Sequence, residues 1–318
     1  MRILTFDELP EEWEPKVQLI DASVGWNIFD FKRLREAMKL GYPAADYFGV
    51  YAVEGDEVQA TVRVLHIPYT LPSGETSTVA GIAGVATRRE WSRRGLARTL
   101  LADVHQREEA AGYTLSLLWM GFWNFSHELY KSIGYSDVYT PRVALRRCDG
   151  FRTKGQKYTF RTARKDDASV IERLHAEATR GRVGFTPRPT NVLHPLIKLG
   201  WVKPGAFRLI LSGKDPVGYI QMQEGSGWMK SDEVVLTKRA NQEEAVSLIQ
   251  SRASPGWLML QGTFTRDSFG MLKGLGYSFT DYLYYGLMAR PLKGAHKDIK
   301  DELGTASRPF TCHFLDYF

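Results

Sequence analysis

The sequence predicts an α/β fold of the mixed-sheet, α+β kind, built twice in tandem. Strand-like runs alternate with amphipathic helices along most of the 318 residues. The order of these elements after residue 158 repeats the order before residue 147. One segment also recurs without gaps. "SHELYKSIGY" (Ser126–Tyr135) lies over "SFGMLKGLGY" (Ser268–Tyr277), with Ser, Lys, Gly and Tyr at the same offsets. The preceding strands, "LSLLWMGFWNF" and "WLMLQGTFTRD", fall into line with them. Internal duplication accounts for all three observations.

The elements follow in order. The chain reads as helix and loop up to Gly41, with "DFKRLREAMKL" an amphipathic helix opening on Asp30. "YFGVYAVEGDEVQATVRVLHIPYTL" is a strand pair turning at Glu54–Asp56, and "TSTVAGIAGVAT" adds a strand after a turn at Ser73–Gly74. "RRGLARTLLADVHQREEAAG" is a helix stopped at Gly112, "YTLSLLWMGF" a strand, and "FSHELYKSIG" a short helix ending at Gly134. "YSDVYTPRVALRR" reads as the pair of strands closing the first half. The basic run 148–157 is a linker, and the pattern then restarts and ends on the strand "YLYYGLMARP". The expected division is 1–147, linker 148–157, 158–292 and a tail 293–318.

Composition narrows the classes of function. Net charge is +6 with an isoelectric point near 9.1, which suits anionic ligands. No aromatic-plus-basic nucleic-acid motif is present, so nucleic acid is not the expected partner. The two cysteines, Cys148 and Cys312, make no disulfide framework, and the seven histidines never fall at metal-ligand spacing, so no metal is expected. No apolar run reaches the ~18 residues of a membrane span, and the start lacks a signal-peptide core, so the expectation is a cytoplasmic protein without membrane contact. Oligomeric state is not readable.

The stretch "TRREWSRRGLARTLL" (Thr87–Leu101) sets five arginines around Gly95 at the mouth of a helix. Positive charge there opposes the helix dipole, so it is poorly placed for stability and well placed to meet an anion. Together with "GIAGVAT" before it and "LYKSIGY" after the next strand, this stretch resembles the GCN5-related N-acetyltransferase (GNAT) superfamily. "SRRGLA" is similar to its acyl-CoA signature, with Ser92 standing where Arg or Gln is usual. The longer string "IPYTLPSGETSTVAGIAGVATRREWSRRGLARTLL" resembles the enhanced-intracellular-survival branch, whose members carry two fused GNAT domains, over roughly residues 1–292. That branch normally adds a sterol-carrier-like domain of about 100 residues, where this sequence has only 293–318.

The resemblance implies acetyl-CoA as co-substrate and an amine, on a small molecule or peptide, as acceptor. Gly95 and the helix start (Leu96, Ala97) would cradle phosphate, with Arg93, Arg94 and Arg98 neutralising it. Val85, Ala86 and Thr87 would pair with the pantetheine arm, and a free N–H near Val85 would polarise the thioester carbonyl. Tyr130 is the expected general acid, and the duplicate has Leu272 in its place. The duplicate also has no glycine in "LTKRANQEEAV", so one copy keeps both features and the other lacks both. In the resembled branch a terminal aromatic residue offers its carboxylate near the active site, and this sequence ends on Phe318. His127 and Glu128 are alternatives for the base, and Trp119, Phe122 and Trp123 are candidates for the acceptor wall. A non-catalytic acyl-CoA-binding module and an aminoacyl-tRNA-dependent transferase are the competing classes. The latter lack the CoA phosphate loop, which "SRRGLA" counts against.

Overall fold

The computed structural model describes residues 1–23, 30–148, 157–188, 191–253, 256–261, 266–282, 285–293, 298–306 and 310–311. The first half runs β1 (Arg2–Thr5), α1 (Glu14–Ser23), α2 (Phe31–Lys39), β2 (Ala44–Glu54), β3 (Glu57–Thr70) and β4 (Thr76–Thr87). It continues α3 (Leu96–Ala110), β5 (Leu115–Met120), α4 (Ser126–Ser132), β6 (Ser136–Tyr139) and β7 (Arg142–Cys148). The second half has β8 (Tyr158–Thr162), α5 (Ala168–Thr179), β9 (Val183–Gly184), α6 (Leu193–Lys198), β10 (Phe207–Ser212), β11 (Asp215–Gly225) and β12 (Trp228–Leu236). Then come α7 (Gln242–Arg252), β13 (Gly256–Leu260), α8 (Arg266–Gly274), β14 (Ser278–Asp281), β15 (Gly286–Pro291), α9 (Ile299–Leu303) and β16 (Phe310–Thr311). No described helix is long and apolar enough to cross a membrane, and the described residues hold no cluster of metal-ligating side chains.

The starts of α2 and α7 follow from their caps. Asp30 accepts from the Arg33 N–H at 2.8 Å, and Asn241 from the Glu244 N–H at 3.1 Å. The opening segment, expected to be helix and loop, instead begins with β1, four residues that pair antiparallel with β2 at the sheet edge. So short a strand has no periodicity to read.

The strands form two mixed sheets, ordered β1-β2-β3-β4-β5-β15-β6 and β14-β7-β13-β12-β11-β10-β8. In each sheet one parallel pair is joined by a helical crossover, β4–α3–β5 in the first and β12–α7–β13 in the second. Two further strands, β9 and β16, pair with each other and reach the end of β3 through Thr70 and Gly184.

The sheet order corrects one sequence reading. β7 does not close the first sheet, and β15 does not close the second. β7 lies between β13 and β14, and β15 between β5 and β6, so the two halves exchange their last strands. Local pattern cannot reveal this, because "VALR" (Val143–Arg146) and "LMAR" (Leu287–Arg290) are equally apolar and fit either sheet. The exchange is symmetric in detail. Arg290 lies over Gly134 of the first half, and Arg146 lies over Gly276 of the second.

The apolar core is continuous across the halves. Phe6, Leu34 and Phe48 belong to one cluster with Leu174, Leu196, Phe207 and Tyr219. A second cluster fills the α3 face of the first sheet and includes Leu100, Tyr130 and Met288. A third packs α7 and α8 on the second sheet.

Candidate active site

Two irregularities in the first sheet open a cleft. β4 pairs with β5 only from Ala80 to Ile82, although β4 runs on to Thr87 and β5 to Met120. The strands splay beyond that point, and among the described residues no strand pairs with that edge of Ala83–Thr87. At the same place β4 carries a bulge against β3, where Thr61 faces Ala86 and Arg63 faces Ala83. Gly84 sits in the bulge at φ +55°, and a Cβ there would lie 2.9 Å from Arg63 Cδ, so both backbone and space require glycine.

The splay opens into a cavity of about 840 Å³ between the halves, within the size range of small-molecule sites. Of the residues expected to hold the co-substrate, Val85, Ala86, Thr87, Arg93, Gly95, Leu96, Ala97 and Arg98 all line it. Arg94 does not. Its guanidinium stacks on Trp91 with 4.5 Å to the ring centroid. Arg88 is held by Glu57 and Glu90.

The loop before α3 has Arg93 at φ +61° and Gly95 at φ +80°, an alternation that turns successive N–H groups to one side. Gly95 caps α3 with no side-chain bond, and the Thr99 N–H bonds the Gly95 carbonyl at 3.0 Å. The N–H groups of the first turn therefore lack intrahelical acceptors and face the loop mouth. Arg98 crosses to donate to Ser132 Oγ at 2.7 Å, tying α3 to the end of α4. The second half has the same splay: β12 and β13 pair from Trp228 to Ser231, with a bulge at Asp232. There, however, Asn241 caps α7 itself, and Glu243 and Glu244 occupy its first turn. That helix start repels an anion where α3 attracts one.

Tyr130 is 4% exposed and lines the cavity from α4. Its ring meets Tyr135 edge-on at 5.9 Å, and among the described residues its hydroxyl has no hydrogen-bond partner. Burial pushes the phenol above its ordinary value, so it stays protonated at neutral pH. Tyr135 is bonded instead to His105 at 2.9 Å and to Ser116 at 2.6 Å. At the equivalent positions of the second half, Leu272 is fully buried and the Tyr277 hydroxyl accepts from Gln250 at 3.1 Å. The structural tyrosine is kept in both halves and the cavity-facing one in the first alone.

Trp119 lines the cavity. Phe122 and Trp123 do not: Phe122 packs on Gly286 and stacks edge-on with His127, and Trp123 is 68% exposed. His127 is tied to Asp137 at 2.8 Å, Glu128 is exposed, and neither lines the cavity. Phe318 lies outside the described residues. The acceptor end is walled by residues the motif reading missed, including Tyr42 and Arg63 from the first half and Phe185, Arg188, Leu196 and Trp201 from the second. One local signal was present, an arginine inside the apolar strand "TVRVLHI", since a fully covered strand seldom holds an unused charge.

The fold is shared with known proteins. Residues 10–138 match the acetyltransferase (GNAT) domain family. Among solved structures, a GCN5-related N-acetyltransferase from Kribbella flavida is 19% identical, with TM-score 0.63 over 91% of this chain and 70% of that one. Eis1 from Mycobacterium abscessus is 14% identical, with TM-score 0.61 over 92% and 74%. A tandem GNAT protein from the clavulanic acid biosynthesis pathway is 11% identical, with TM-score 0.56 over 93% and 99%. No curated protein matches. The uncapped helix start and the splayed strands suit acetyl-CoA, the co-substrate that GNAT folds use, through the N–H groups around Gly95 and the free edge of Ala83–Thr87. Residues 10–138 therefore carry a GNAT acetyltransferase domain, set in a two-sheet fold shared with tandem GNAT proteins.

Proposed function

We propose that the first half transfers acetyl from acetyl-CoA to a primary amine, on a small molecule or peptide, by direct attack, with Tyr130 as general acid. The observation that carries this is Tyr130, a buried ring whose hydroxyl has no partner among the described residues, in the same cavity as the strand splay and the loop before α3. Arg93, Arg98 and the N–H groups at Gly95 hold the phosphates. The free edge of Val85–Thr87 orients the pantetheine arm, and an N–H near the Gly84–Val85 bulge stabilises the negative charge that grows on the carbonyl oxygen. Tyr130 gives its proton to the departing sulfur as the C–S bond breaks, and the proton that the amine sheds once the C–N bond has formed passes to solvent, from which the phenolate is reprotonated. Domain division at 148–157 fits this reading, with the second half shaping the acceptor end rather than holding a second co-substrate.

The test is thiol release from acetyl-CoA with polyamines, aminoglycosides, amino acids and lysine peptides, beside calorimetric binding of acetyl-CoA. Binding without thiol release for every amine would assign the non-catalytic acyl-CoA module instead. Gly95→Asp is expected to weaken acetyl-CoA binding by about 100-fold, because Asp tolerates the left-handed backbone but sets a carboxylate against the phosphates. Gly95→Asn should lose far less, and equal losses would contradict an electrostatic site. The Phe318 carboxylate completes the proposal by orienting the amine. Residues appended after Phe318 are expected to lower kcat with acetyl-CoA affinity kept, and an extended enzyme of normal kcat would remove Phe318 from the mechanism.

A further inference from the structure

The acceptor end of the cavity presents two guanidinium groups, each backed by a buried carboxylate. Its lining holds Arg63 and Arg188, the co-substrate end holds Arg93 and Arg98, and no Asp or Glu lines it among the described residues. Arg63 is only 7% exposed and is gripped from several sides. Asp21 of α1 pairs with its guanidinium, the Phe48 ring lies 5.9 Å from it, and its stem crosses Gly84. Both flanking strands are irregular here. β4 bulges at Gly84–Val85, β2 inserts residues 45–48 between Ala44 and Gly49, and Phe48 takes φ +47°. A bulky residue in that conformation is strained, and such strain collects where a side chain is held for use. Arg188 forks onto Glu233 at 3.0 and 3.1 Å, with Tyr219 at 3.3 Å.

Neither arginine makes a cheap stabilising contact, because each ion pair is largely removed from water. Burial pushes the Asp21 carboxyl above its ordinary value, and Arg63 offsets this only in part. A doubly cationic acceptor meets two guanidinium groups and no carboxylate among the described lining residues. An acceptor with its own carboxylate meets its complement, and the apolar walls of Leu196, Trp201 and Phe185 suit an apolar body.

Resting on the acetyl transfer proposed above, we infer that the acceptor is an amino-acid-like amine with an apolar body, whose carboxylate is bound by Arg63 and Arg188. Planar guanidinium forks match a carboxylate. They match phosphate too, and the phosphonate arm of the test below separates the two. Arg63 lies over the bulge where the carbonyl is expected, so an amine next to its carboxylate comes within reach of the thioester.

The test compares amines that differ only in the carboxylate: phenylalanine with phenethylamine, and tryptophan with tryptamine. Thiol release and calorimetric binding to CoA-loaded enzyme are both measured. The acids are expected to show kcat/KM roughly 10- to 100-fold above their decarboxylated partners. Arg63→Lys and Arg188→Lys should each shrink that ratio, and a ratio unchanged in both variants would overturn the inference. Asp21→Asn, which leaves the guanidinium in place, should keep the ratio or raise it. Equal use of acid and amine, failure of both to bind, or better use of the phosphonate analogue of phenylalanine would each overturn the inference. Acid preference that appears only when the chain is extended past Phe318 would assign the arginines to the chain's own carboxylate, and overturn it too. Loss of the inference with polyamines still acetylated leaves the acetyltransferase reading standing, whereas no acetyl-CoA binding removes both.

Discussion

Tyr130→Phe is expected to lower kcat by roughly 10- to 1000-fold, much of the usual range for a positioned proton donor, with acetyl-CoA affinity and Tm nearly unchanged. The substitution removes one oxygen. The ring stays packed against Tyr135, and no described group loses a hydrogen bond. Because burial holds the phenol above its ordinary value, the neutral acid persists through neutral pH and beyond, and wild-type kcat should show no loss from Tyr130 ionisation up to about pH 10. Tyr135→Phe is the control. That hydroxyl is fully engaged with His105 and Ser116, so its loss should cost about 1–3 kcal/mol of stability without a selective effect on kcat. Normal kcat in Tyr130→Phe, or equal effects from both variants, would make Tyr130 a packing residue.

Much of the co-substrate end was legible because its chemistry is local. A left-handed glycine, an uncapped helix start and a ring of arginines lie within one short segment, and the duplicate supplies a built-in comparison in which Asn241 closes the same position. Arg94 escaped correct placement because sequence does not say which arginine of a neighbouring pair turns to the loop and which stacks on Trp91. The acceptor end was not legible. Arg63, Tyr42, Trp201 and Arg188 come from different elements of both halves, and the packing of α6 on α2 and the pairing of β9 with β3 bring them together. Phe122 and Trp123 looked like wall residues because they follow β5, but the chain turns away there to start α4. The closing strands were unreadable for a related reason. The choice of sheet is settled by the edges that receive a strand, and both candidate strands carry the same pattern.

The exchange makes a sharp prediction about a residue of the second half. Met288 of β15 is fully buried and sits opposite Leu118 of β5 in the cluster that contains Tyr130. Met288→Ala is expected to destabilise the protein by about 2–5 kcal/mol, the usual consequence of deleting a core side chain that neighbours cannot replace. The damage should fall on the first half. Hydrogen exchange should accelerate in α3, β5 and α4, and kcat should drop because the wall behind Tyr130 loosens. The position matching Met288 on β7 is Ala144, which packs in the second-half cluster with Leu258 and Tyr277. Ala144→Met overfills that cluster and should cost about 1–3 kcal/mol, with exchange accelerating in α7 and α8 and the Tyr130 step intact. If instead Met288→Ala loosens α7 and α8 while kcat survives, each half closes its own sheet, and the continuity of the two halves through β7 and β15 is wrong. Exchanged strands also bind the acceptor wall to the catalytic half. Arg290 of β15 donates to His105 Nδ1 at 2.6 Å, and burial together with that guanidinium pushes His105 down to about 3. The imidazole is therefore neutral with its proton on Nε2, which donates to Tyr135 beneath Tyr130. A strand from the far end of the chain thereby fixes the floor on which the proposed acid stands.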